Sequence, residues 1–352
     1  MDNITYTESL NKNSVIYVDV RTSKEYNEST IPGAINLPIL NNKERKIVGT
    51  IYNNESPAAA KMKGVEFISP KIPELVKKIR ELRQKYNYVI IFCSRGNLRS
   101  KSLVTFADLA GLKAFQLKDG YKAYRHFILN KLENYKLDNR FLVIHGNTGV
   151  GKTDLLYKLN NKGIHIIDLE GLANHRGSAF GDIGLKKPRN QKMFDSLLWE
   201  KLESITDENI IAVEAENRRI GMSNLPQFFV NKMNNGIHIL IESSIDARIN
   251  RIYNEYTDSF QENKQKFIQK TLDSIESVKK HLIRDMGKQK YKRLKNLVKK
   301  KNLKSVIEIL LKHYYDPLYK NKQKIQKNYS LKINSDNLNY IQDKIIEFIS
   351  NI

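Results

Sequence analysis

The sequence contains a single cysteine, Cys93, among 352 residues. One thiol cannot form an intramolecular disulfide, and it cannot supply the several thiolates of a cysteine-ligated zinc site. Any chemistry at Cys93 therefore uses that sulfur alone, or together with a thiol or chalcogen from outside the chain.

The sequence also lacks a long apolar run. No stretch approaches the roughly 18 consecutive apolar residues that a membrane-spanning helix needs. Residues 1–5 are acidic rather than basic and lead no apolar segment, so a signal peptide is not predicted. We therefore expect a soluble cytoplasmic protein without a membrane partner.

Acidic residues are scarce relative to basic ones. The chain has 60 Lys and Arg against 38 Asp and Glu, which gives a net charge of +22. From Tyr256 onward the counts are 22 and 10, so an excess of 12 lies in the last quarter of the chain. Such an excess predicts a polyanion partner such as nucleic acid, because each neutralised phosphate releases counterions. The alternative is a compositional bias toward Lys, Asn and Ile, and charge alone does not decide between the two.

The length suits two domains rather than one. Short apolar segments alternate with segments of helical periodicity, which is typical of α/β folds with parallel sheets. The predicted strands are 15–20, 88–92 and 114–117 in the first half, and 141–144, 163–168, 209–213 and 236–241 in the second. Residues 39–70 read as an irregular, polar segment. We predict one domain over residues 1–137 and a second α/β domain over 138–352, which includes a Lys-rich helical region at about 257–325.

A phosphate-binding loop is the clearest motif in the chain. The pattern G-x4-G-K-[ST] follows the predicted strand 141–144 and precedes a predicted helix, which is the context that this motif requires. In such loops the backbone amides face a phosphate at a helix N-terminus. The residues are Gly146, Asn147, Thr148, Gly149, Val150, Gly151, Lys152 and Thr153. The alternative is a glycine turn that holds no ligand.

Cys93 also lies in a loop between a strand and a helix. The loop amides, the positive end of the following helix, and two arginines favour a lowered thiol pKa and an anion or persulfide cradle. The loop residues after the cysteine are Ser94, Arg95, Gly96, Asn97, Leu98, Arg99 and Ser100. Two alternatives remain open: an arginine-assisted phosphatase with the pattern Cys-x5-Arg, and an inert buried cysteine.

Several segments resemble known families. The Cys93 loop, together with residues 19–21, 31–38 and 119–121, resembles a rhodanese domain. A rhodanese domain joined to a phosphate-loop domain is similar to the tRNA 2-selenouridine synthase family. Further matching segments are 44–52, 174–181, 214–221 and 313–317. The resemblance covers nearly the whole chain apart from the Lys-rich stretch 260–304.

The resemblance implies a transferase that modifies the wobble uridine of tRNA. Members of this family are associated with replacing the sulfur of 2-thiouridine by selenium from selenophosphate. They are also associated with attaching a geranyl group from geranyl diphosphate to that sulfur, which would turn it into a better leaving group. In this interpretation the phosphate loop holds the diphosphate and Lys152 neutralises its charge. The Cys93 loop binds selenophosphate or carries a perselenide, and the basic surface binds tRNA.

Further residues are predicted to bind a metal ion or an anion. Thr153 and Glu214 are predicted to hold Mg²⁺, because Glu214 follows an apolar strand as a metal-binding acid does. A second anion site is predicted at His175, Arg176, Gly177 and Ser178, which otherwise form a glycine turn. Arg248 and Arg251 lie three residues apart on one predicted helix face, where they either clamp phosphate or face solvent.

Two other functions compete with the synthase hypothesis. One is an ATP-dependent rhodanese-type sulfurtransferase acting on RNA, in which the loop binds ATP and Cys93 carries a persulfide. The other is an RNA-binding protein without catalytic activity, which the presence of Cys93, Lys152 and Thr153 disfavours.

Overall fold

The computed structural model describes residues 2–351, except for 177, 179, 182, 186, 206–208, 319–327 and 337. The chain divides into two compact units. Unit 1 comprises Met1–Asn134 and Asn190–Glu200, and unit 2 comprises Tyr135–Arg189 and Lys201–Ile352. The sequence places residues 190–200 within the second predicted domain, whereas in the structure they pack with unit 1.

Unit 1 is built on one parallel sheet. Its strands are β1 (Asp2–Ile4), β2 (Val15–Asp19), β3 (Ile35–Asn36), β4 (Tyr88–Phe92) and β5 (Phe115–Leu117). They lie in the order β1-β5-β4-β2-β3, and all four pairings are parallel. Residues 89–92 of β4 are fully buried, as expected for the central strand of a sheet covered on both faces.

Seven helices accompany this sheet: α1 (Tyr6–Leu10), α2 (Ser23–Glu28), α3 (Asn42–Asn54), α4 (Pro57–Ile68), α5 (Ile72–Arg83), α6 (Leu98–Leu109) and α7 (Gly120–Glu133). The expectation of irregular structure over residues 39–70 is wrong, because α3 and α4 occupy most of this segment. Asn41 and Glu44 cap the start of α3 reciprocally, and the hydroxyl of Ser56 caps α4. The capping signals were present in the sequence, but the apolar residues of α4 are spread around the helix rather than gathered on one face.

Residues 190–200 join unit 1 through an aromatic cluster and an ion pair. The ring of Trp199 lies 5.3 Å from that of Phe127 and 6.4 Å from that of Tyr6, both in edge-to-face geometry. Arg125 and Asp195, both nearly buried, form an ion pair at 2.8 Å. The burial of Trp199 explains why this segment groups with unit 1.

Unit 2 contains a second parallel sheet. Its strands are β6 (Phe141–His145), β7 (His165–Ile167), β8 (Ile211–Glu214), β11 (Ile237–Glu242) and β12 (Leu331–Asn334), in the order β12-β11-β6-β8-β7. All pairings are parallel. A separate antiparallel pair is formed by β9 (Arg219–Ile220) and β10 (Ser223–Asn224). The predicted α/β class with two parallel sheets is confirmed.

The helices of unit 2 are α8 (Lys152–Asn160), α9 (Leu169–Ala173), α11 (Gln227–Asn234), α12 (Ile245–Glu262), α13 (Lys264–Ser277), α14 (Lys279–Lys299), α15 (Leu303–Leu310) and α16 (Leu338–Ser350). A further helix, α10 (Gln191–Glu203), lies in unit 1 up to residue 200 and in unit 2 from residue 201. Residues Leu311–Tyr315 continue α15 as a short π-helix. A second apolar cluster, distinct from the sheet core, forms among α13, α14 and α15 with Ile275, Leu282 and Leu294 at its centre. Among the described residues, none of the helices has the length and apolar character that crossing a membrane requires.

Candidate functional site

Cys93 lies at the carboxyl end of β4, directly before the loop that leads into α6. Its side chain is only 3% exposed. The hydroxyl of Ser100 donates to the Cys93 sulfur at 3.3 Å, and Nε2 of Gln116 donates to that hydroxyl at 2.9 Å. Gln116, on the neighbouring strand β5, was not predicted to take part. Gln116 therefore orients the Ser100 hydroxyl that lies beside the Cys93 sulfur.

The loop is closed from the other side by the start of α7. The amides of Tyr121 and Lys122 donate to the carbonyls of Cys93 and Ser94 at 2.9 and 3.0 Å. Gly120 has φ +55, and a Cβ at this position would lie 2.2 Å from the Cys93 carbonyl oxygen. Only glycine permits so close an approach between the two backbones. The matched segment 119–121 therefore holds the Cys93 loop in shape.

Arg21 links the start of α7 to the buried residue Asp19. It pairs with Asp19 at 2.6 Å, and both side chains are nearly inaccessible to solvent. Its guanidinium also lies 4.3 Å from the centroid of the Tyr121 ring. Asp19 and Arg21 thus support Tyr121, whose amide binds the Cys93 carbonyl.

Arg99 does not stand beside the sulfur as a free cation. It forms an ion pair with Glu25 at 2.8 Å, and Ser94 donates to the same carboxylate at 3.0 Å. Although burial by itself would raise it, the pKa of Glu25 is lowered to about 2 by Arg99, the Thr22 amide and Ser94. Glu25 was not predicted as a partner of this loop, because it lies 74 residues from Arg99.

The remaining loop residues differ in exposure. Arg95, Asn97 and Leu98 are exposed, whereas Gly96 is half-buried with φ +61. The carbonyl of Asn97 lies 3.2 Å from the Ser100 hydroxyl and shares its single proton with the Cys93 sulfur, while the Asn97 side chain caps no amide of α6. Arg95 is therefore the loop cation that an incoming anion would meet first.

The phosphate loop joins β6 to α8 at the centre of the second sheet. In open parallel sheets, ligands bind beyond the carboxyl ends of the strands where the strand order reverses, and β6 lies at that position. Gly149 has φ +81, and a Cβ there would lie 2.7 Å from the Ile252 side chain. Nζ of Lys152 donates to the Gly146 carbonyl at 3.2 Å, which folds the lysine back across the loop.

Two arginines of α12 support this loop from outside. Arg248 is 4% exposed, donates to the Thr148 carbonyl at 2.9 Å, and pairs with Asp316 at 2.6 Å. The alternative that Arg248 faces solvent is therefore wrong, because its guanidinium donates to the Thr148 carbonyl and to the Asp316 carboxylate. Arg251 donates to the carbonyls of Gly149 and Val150 at 3.4 and 3.2 Å. Both arginines hold the loop through its carbonyls, and Arg251 also lines the cavity beside the loop.

Asn147 and Val150 complete the outer supports of the loop. The Asn147 amide donates to Asp316 at 3.3 Å. The Val150 carbonyl accepts from the buried hydroxyl of Ser335 at 2.8 Å. The loop is thus held by residues from three distant segments of unit 2.

Carboxylates gather beside the loop. The Thr153 hydroxyl donates to Oε1 of Glu214 at 2.6 Å. One carboxylate oxygen from each of Glu170, Glu214 and Glu216 lies within 4.8 Å of the others. Burial raises the pKa of Glu170, as do the charges of Glu214 and Glu216. Burial also raises the pKa of Glu214, although Lys152 opposes this shift.

Glu170 and Glu216 were missed from the sequence. Glu216 follows Glu214 by two residues. Residues two apart in an extended segment place their side chains on one face, so this spacing could have identified Glu216. Glu170 gave no such signal. It lies after β7, and its approach to Glu214 depends on β7 pairing with β8.

The described residues of the predicted second anion site each contact other residues of unit 2. Arg176 pairs with Glu255, and its guanidinium lies 4.8 Å from the centroid of the Tyr256 ring. The Ser178 hydroxyl accepts from Tyr315 at 3.1 Å. His175 lies against the backbone of Gly181 and Gly221, where a Cβ would come within 3 Å of its ring. Gly177 lies outside the described residues.

A cavity of about 990 Å³ opens from the phosphate loop. One side is formed by the loop with Lys152, Thr153, Glu170 and Glu216. The other side is apolar and aromatic, and the π-helix 311–315 contributes to it. The lining there includes Phe180, Ile183, Ile252, Tyr253, Tyr256, Phe267, Leu303, Val306, Ile307, Leu310, Leu311, Tyr314, Tyr315 and Leu318. The cavity can therefore receive a ligand with an anionic end and an apolar end.

A cysteine loop on one parallel sheet and a phosphate loop on another define a protein with a rhodanese-like domain followed by a phosphate-loop domain. A family model described as a rhodanese-like domain matches residues 5–127. A second model, the tRNA 2-selenouridine synthase AAA domain, matches residues 139–347. The chain belongs to the tRNA 2-selenouridine synthase family, as its motifs predicted.

Three relatives, each named tRNA 2-selenouridine synthase, illustrate the extent of the similarity. The protein of Nitrosomonas europaea is 28% identical over 86% of this chain and 87% of its own length. That of Pseudomonas fluorescens is 31% identical over 86% of each chain. That of Pseudomonas syringae pv. syringae is 30% identical over 90% of this chain and 91% of its own.

Proposed function

We propose that this protein is a tRNA-modifying transferase that replaces the sulfur of wobble 2-thiouridine by selenium through an S-geranyl intermediate. In the first step the sulfur attacks the first carbon of geranyl diphosphate, the carbon–oxygen bond breaks, and the uridine N3 proton is lost. In the second step selenium from selenophosphate bonds to C2, and geranylthiol leaves. Water cleaves the selenium–phosphorus bond to give phosphate, and N3 regains its proton.

The observation that carries this proposal is the two-sided cavity of unit 2. Geranyl diphosphate has an anionic head and a flexible apolar chain. The phosphate loop offers amides and Lys152 to the head, and the wall formed by α13, α15 and the π-helix offers apolar surface to the chain. Burial of that chain would supply most of the affinity, at about 25 cal/mol for each Å² of apolar surface removed from water.

The phosphate loop supports departure of the diphosphate. Negative charge develops on the leaving oxygen as the carbon–oxygen bond breaks, and fixed donors that await this charge lower the barrier. Lys152 and the loop amides are such donors. Thr153 and Glu214, linked at 2.6 Å, would hold Mg²⁺ beside them, and the ion would neutralise the same charge.

The Cys93 loop supports the selenium step. Selenophosphate is an anion, and Arg95 together with the loop amides offers it positive potential. The Ser100 hydroxyl, held by Gln116, lies within hydrogen-bond distance of the Cys93 sulfur. We assign the selenium donor to this loop, and the prenyl donor to unit 2.

The basic segment that runs from the second half of α14 into α15 supports tRNA binding. Nine Lys or Arg and no Asp or Glu lie between Met286 and Ile307. Lys288, Lys290, Lys292 and Arg293 are exposed. A one-sign surface of this kind attracts the phosphate backbone independently of sequence. The proposed tRNA substrate supports the cytoplasmic location that the sequence predicts.

Mass spectrometry of wobble nucleosides would test the proposal. The protein is incubated with 2-thiouridine tRNA, with geranyl diphosphate and selenophosphate added separately and together. The Lys152→Ala variant should lose about 10²- to 10³-fold of its geranylation rate, because it lacks one transition-state donor. The Cys93→Ala variant should keep geranylation and lose selenation. Lys162→Ala, an exposed lysine just beyond α8, serves as the matched control.

A substitution in the apolar wall of the cavity distinguishes binding of a prenyl diphosphate from binding of a nucleotide. Ile307→Trp should weaken geranyl diphosphate binding and leave inorganic diphosphate binding unchanged. Nucleotide hydrolysis stimulated by tRNA, with no geranylated product, would instead favour an ATP-dependent sulfurtransferase. Intact geranylation in Lys152→Ala would contradict the role given to the phosphate loop.

A further inference from the structure

The carboxylate group beside the phosphate loop is built from two neighbouring strand ends. Glu214 is the last residue of β8, Glu216 follows two residues later, and Glu170 lies three residues beyond the end of β7. Because β7 and β8 are paired and parallel, with Ile167 opposite Val213, their carboxyl ends bring these acids together. The backbone of the sheet therefore positions the group before any ligand arrives.

The spacing of the three carboxylates suits one hard cation. One oxygen of each lies within 4.8 Å of the others. A divalent ion bound by oxygens at 2.0–2.1 Å keeps its ligands about 3 to 4 Å apart, so side-chain shifts of about 1 Å would complete the coordination. Asp168, which lies close by, is already occupied: it accepts from the Gly171 amide and the Tyr157 hydroxyl, both at 2.7 Å.

The side chain of Glu214 provides an independent observation, because one of its carboxylate oxygens lacks a hydrogen-bond donor among the described residues. Glu214 is 1% exposed, and its Oε2 makes no hydrogen bond to any residue that the structure describes. The other oxygen, Oε1, accepts from Thr153. A buried carboxylate oxygen without a donor is costly, and a bound cation would satisfy it. Oxygen-only ligands favour Mg²⁺ or Mn²⁺ over softer metals.

We propose that Glu170, Glu214 and Glu216 form a divalent-cation site that binds Mg²⁺ or Mn²⁺ in the absence of the diphosphate. This goes beyond the metal role given to Thr153 and Glu214 above, because the ion would not need to arrive with the donor. Glu170 and Glu216 also line the cavity, so the bound ion would face the anionic end of the ligand. The site rests on carboxylate geometry and holds whether or not the donor is a prenyl diphosphate.

Titration of the metal-free full-length protein with Mn²⁺ would test this inference. Loss of the electron paramagnetic resonance signal of free Mn²⁺ reports binding, with neither tRNA nor any diphosphate present. We expect about one ion per chain, displaced by Mg²⁺, and at least tenfold weaker binding in both Glu170→Gln and Glu216→Gln. Asp154→Asn, which removes an exposed carboxylate one residue after the loop, should bind as the wild type does.

Thermal unfolding gives a second readout. At one Mn²⁺ concentration, the melting temperature of the wild type and of Asp154→Asn should rise by more than that of Glu216→Gln. Binding that needs added inorganic diphosphate, or equal Mn²⁺ affinity in the wild type and both Gln variants, would overturn the inference. Since no transfer reaction is measured, a failure here is distinct from a failure of the proposed function.

Discussion

Gly120 offers the sharpest test of how unit 1 holds its cysteine. In Gly120→Ala the new Cβ would lie 2.2 Å from the Cys93 carbonyl oxygen and 2.5 Å from the Gly96 nitrogen. Both neighbours are backbone atoms, so no side chain can rotate away to relieve the overlap. The Cys93 loop must move for the methyl group to fit.

The expected destabilisation has two parts. A non-glycine residue at φ +55 costs about 1–2 kcal/mol because its Cβ crowds its own backbone. Forcing an extra methyl group into a filled space costs about 1–3 kcal/mol more. Gly111→Ala isolates the first part, since Gly111 has φ +72 and a Cβ there would meet nothing within 4 Å. The two variants should therefore differ by about 1–3 kcal/mol.

The single cysteine provides a local assay. Cys93 is 3% exposed, so a thiol reagent reaches it only when the loop opens. If opening precedes labelling, a difference of about 1–3 kcal/mol makes Gly120→Ala react about 5- to 140-fold faster than Gly111→Ala. Gly120→Ala should also lose selenation and retain geranylation. Equal labelling rates in the two variants would refute the claim that the start of α7 holds the loop.

Three further predictions concern charges. Glu25→Gln should destabilise unit 1 by about 1 kcal/mol at pH 7, after allowance for solvent screening. Because the folded-state pKa of Glu25 is about 2 and lies below its unfolded value, this difference should persist above pH 4.5 and vanish as the pH falls toward 2 in acid-unfolding curves. Asp316→Asn leaves Arg248 buried without its charged partner, so it should destabilise unit 2 by about 2–4 kcal/mol in chemical denaturation. The same variant should bind inorganic diphosphate more weakly, and an unchanged affinity would contradict this prediction. Lys288→Glu combined with Lys292→Glu should weaken tRNA binding in filter-binding assays. The slope of the logarithm of the binding constant against the logarithm of the salt concentration should become less steep by about 1 to 2. An unchanged slope would mean that the RNA binds to another surface.

The phosphate loop was predictable because its chemistry is contiguous in the chain. One strand, one turn and one helix start supply the amides, the lysine and the threonine within residues 146–153. The same holds for the position of Cys93 after a buried strand. Motifs of this kind need no knowledge of the rest of the fold, since each local segment determines its own backbone path.

The partners of these loops were not predictable in the same way. Arg248 and Arg251 were recognised as one helix face, but their spacing does not say what that face contacts. Arg99 was expected to charge the cysteine loop, and Glu25 compensates it instead. In each case the decisive contact joins residues 68 or more positions apart. Such contacts depend on strand order and helix docking, which no short pattern records.

The sequence by itself determined the α/β class, the position of the two loops after buried strands, and the family, because these follow from periodicity and from contiguous motifs. Tertiary structure decided which cations remain available to a ligand, which carboxylates meet, and that the phosphate loop opens onto an apolar wall. The physical reason is that charge compensation, desolvation and cavity shape are properties of side chains brought together from distant segments. They arise only when the sheets and helices have packed.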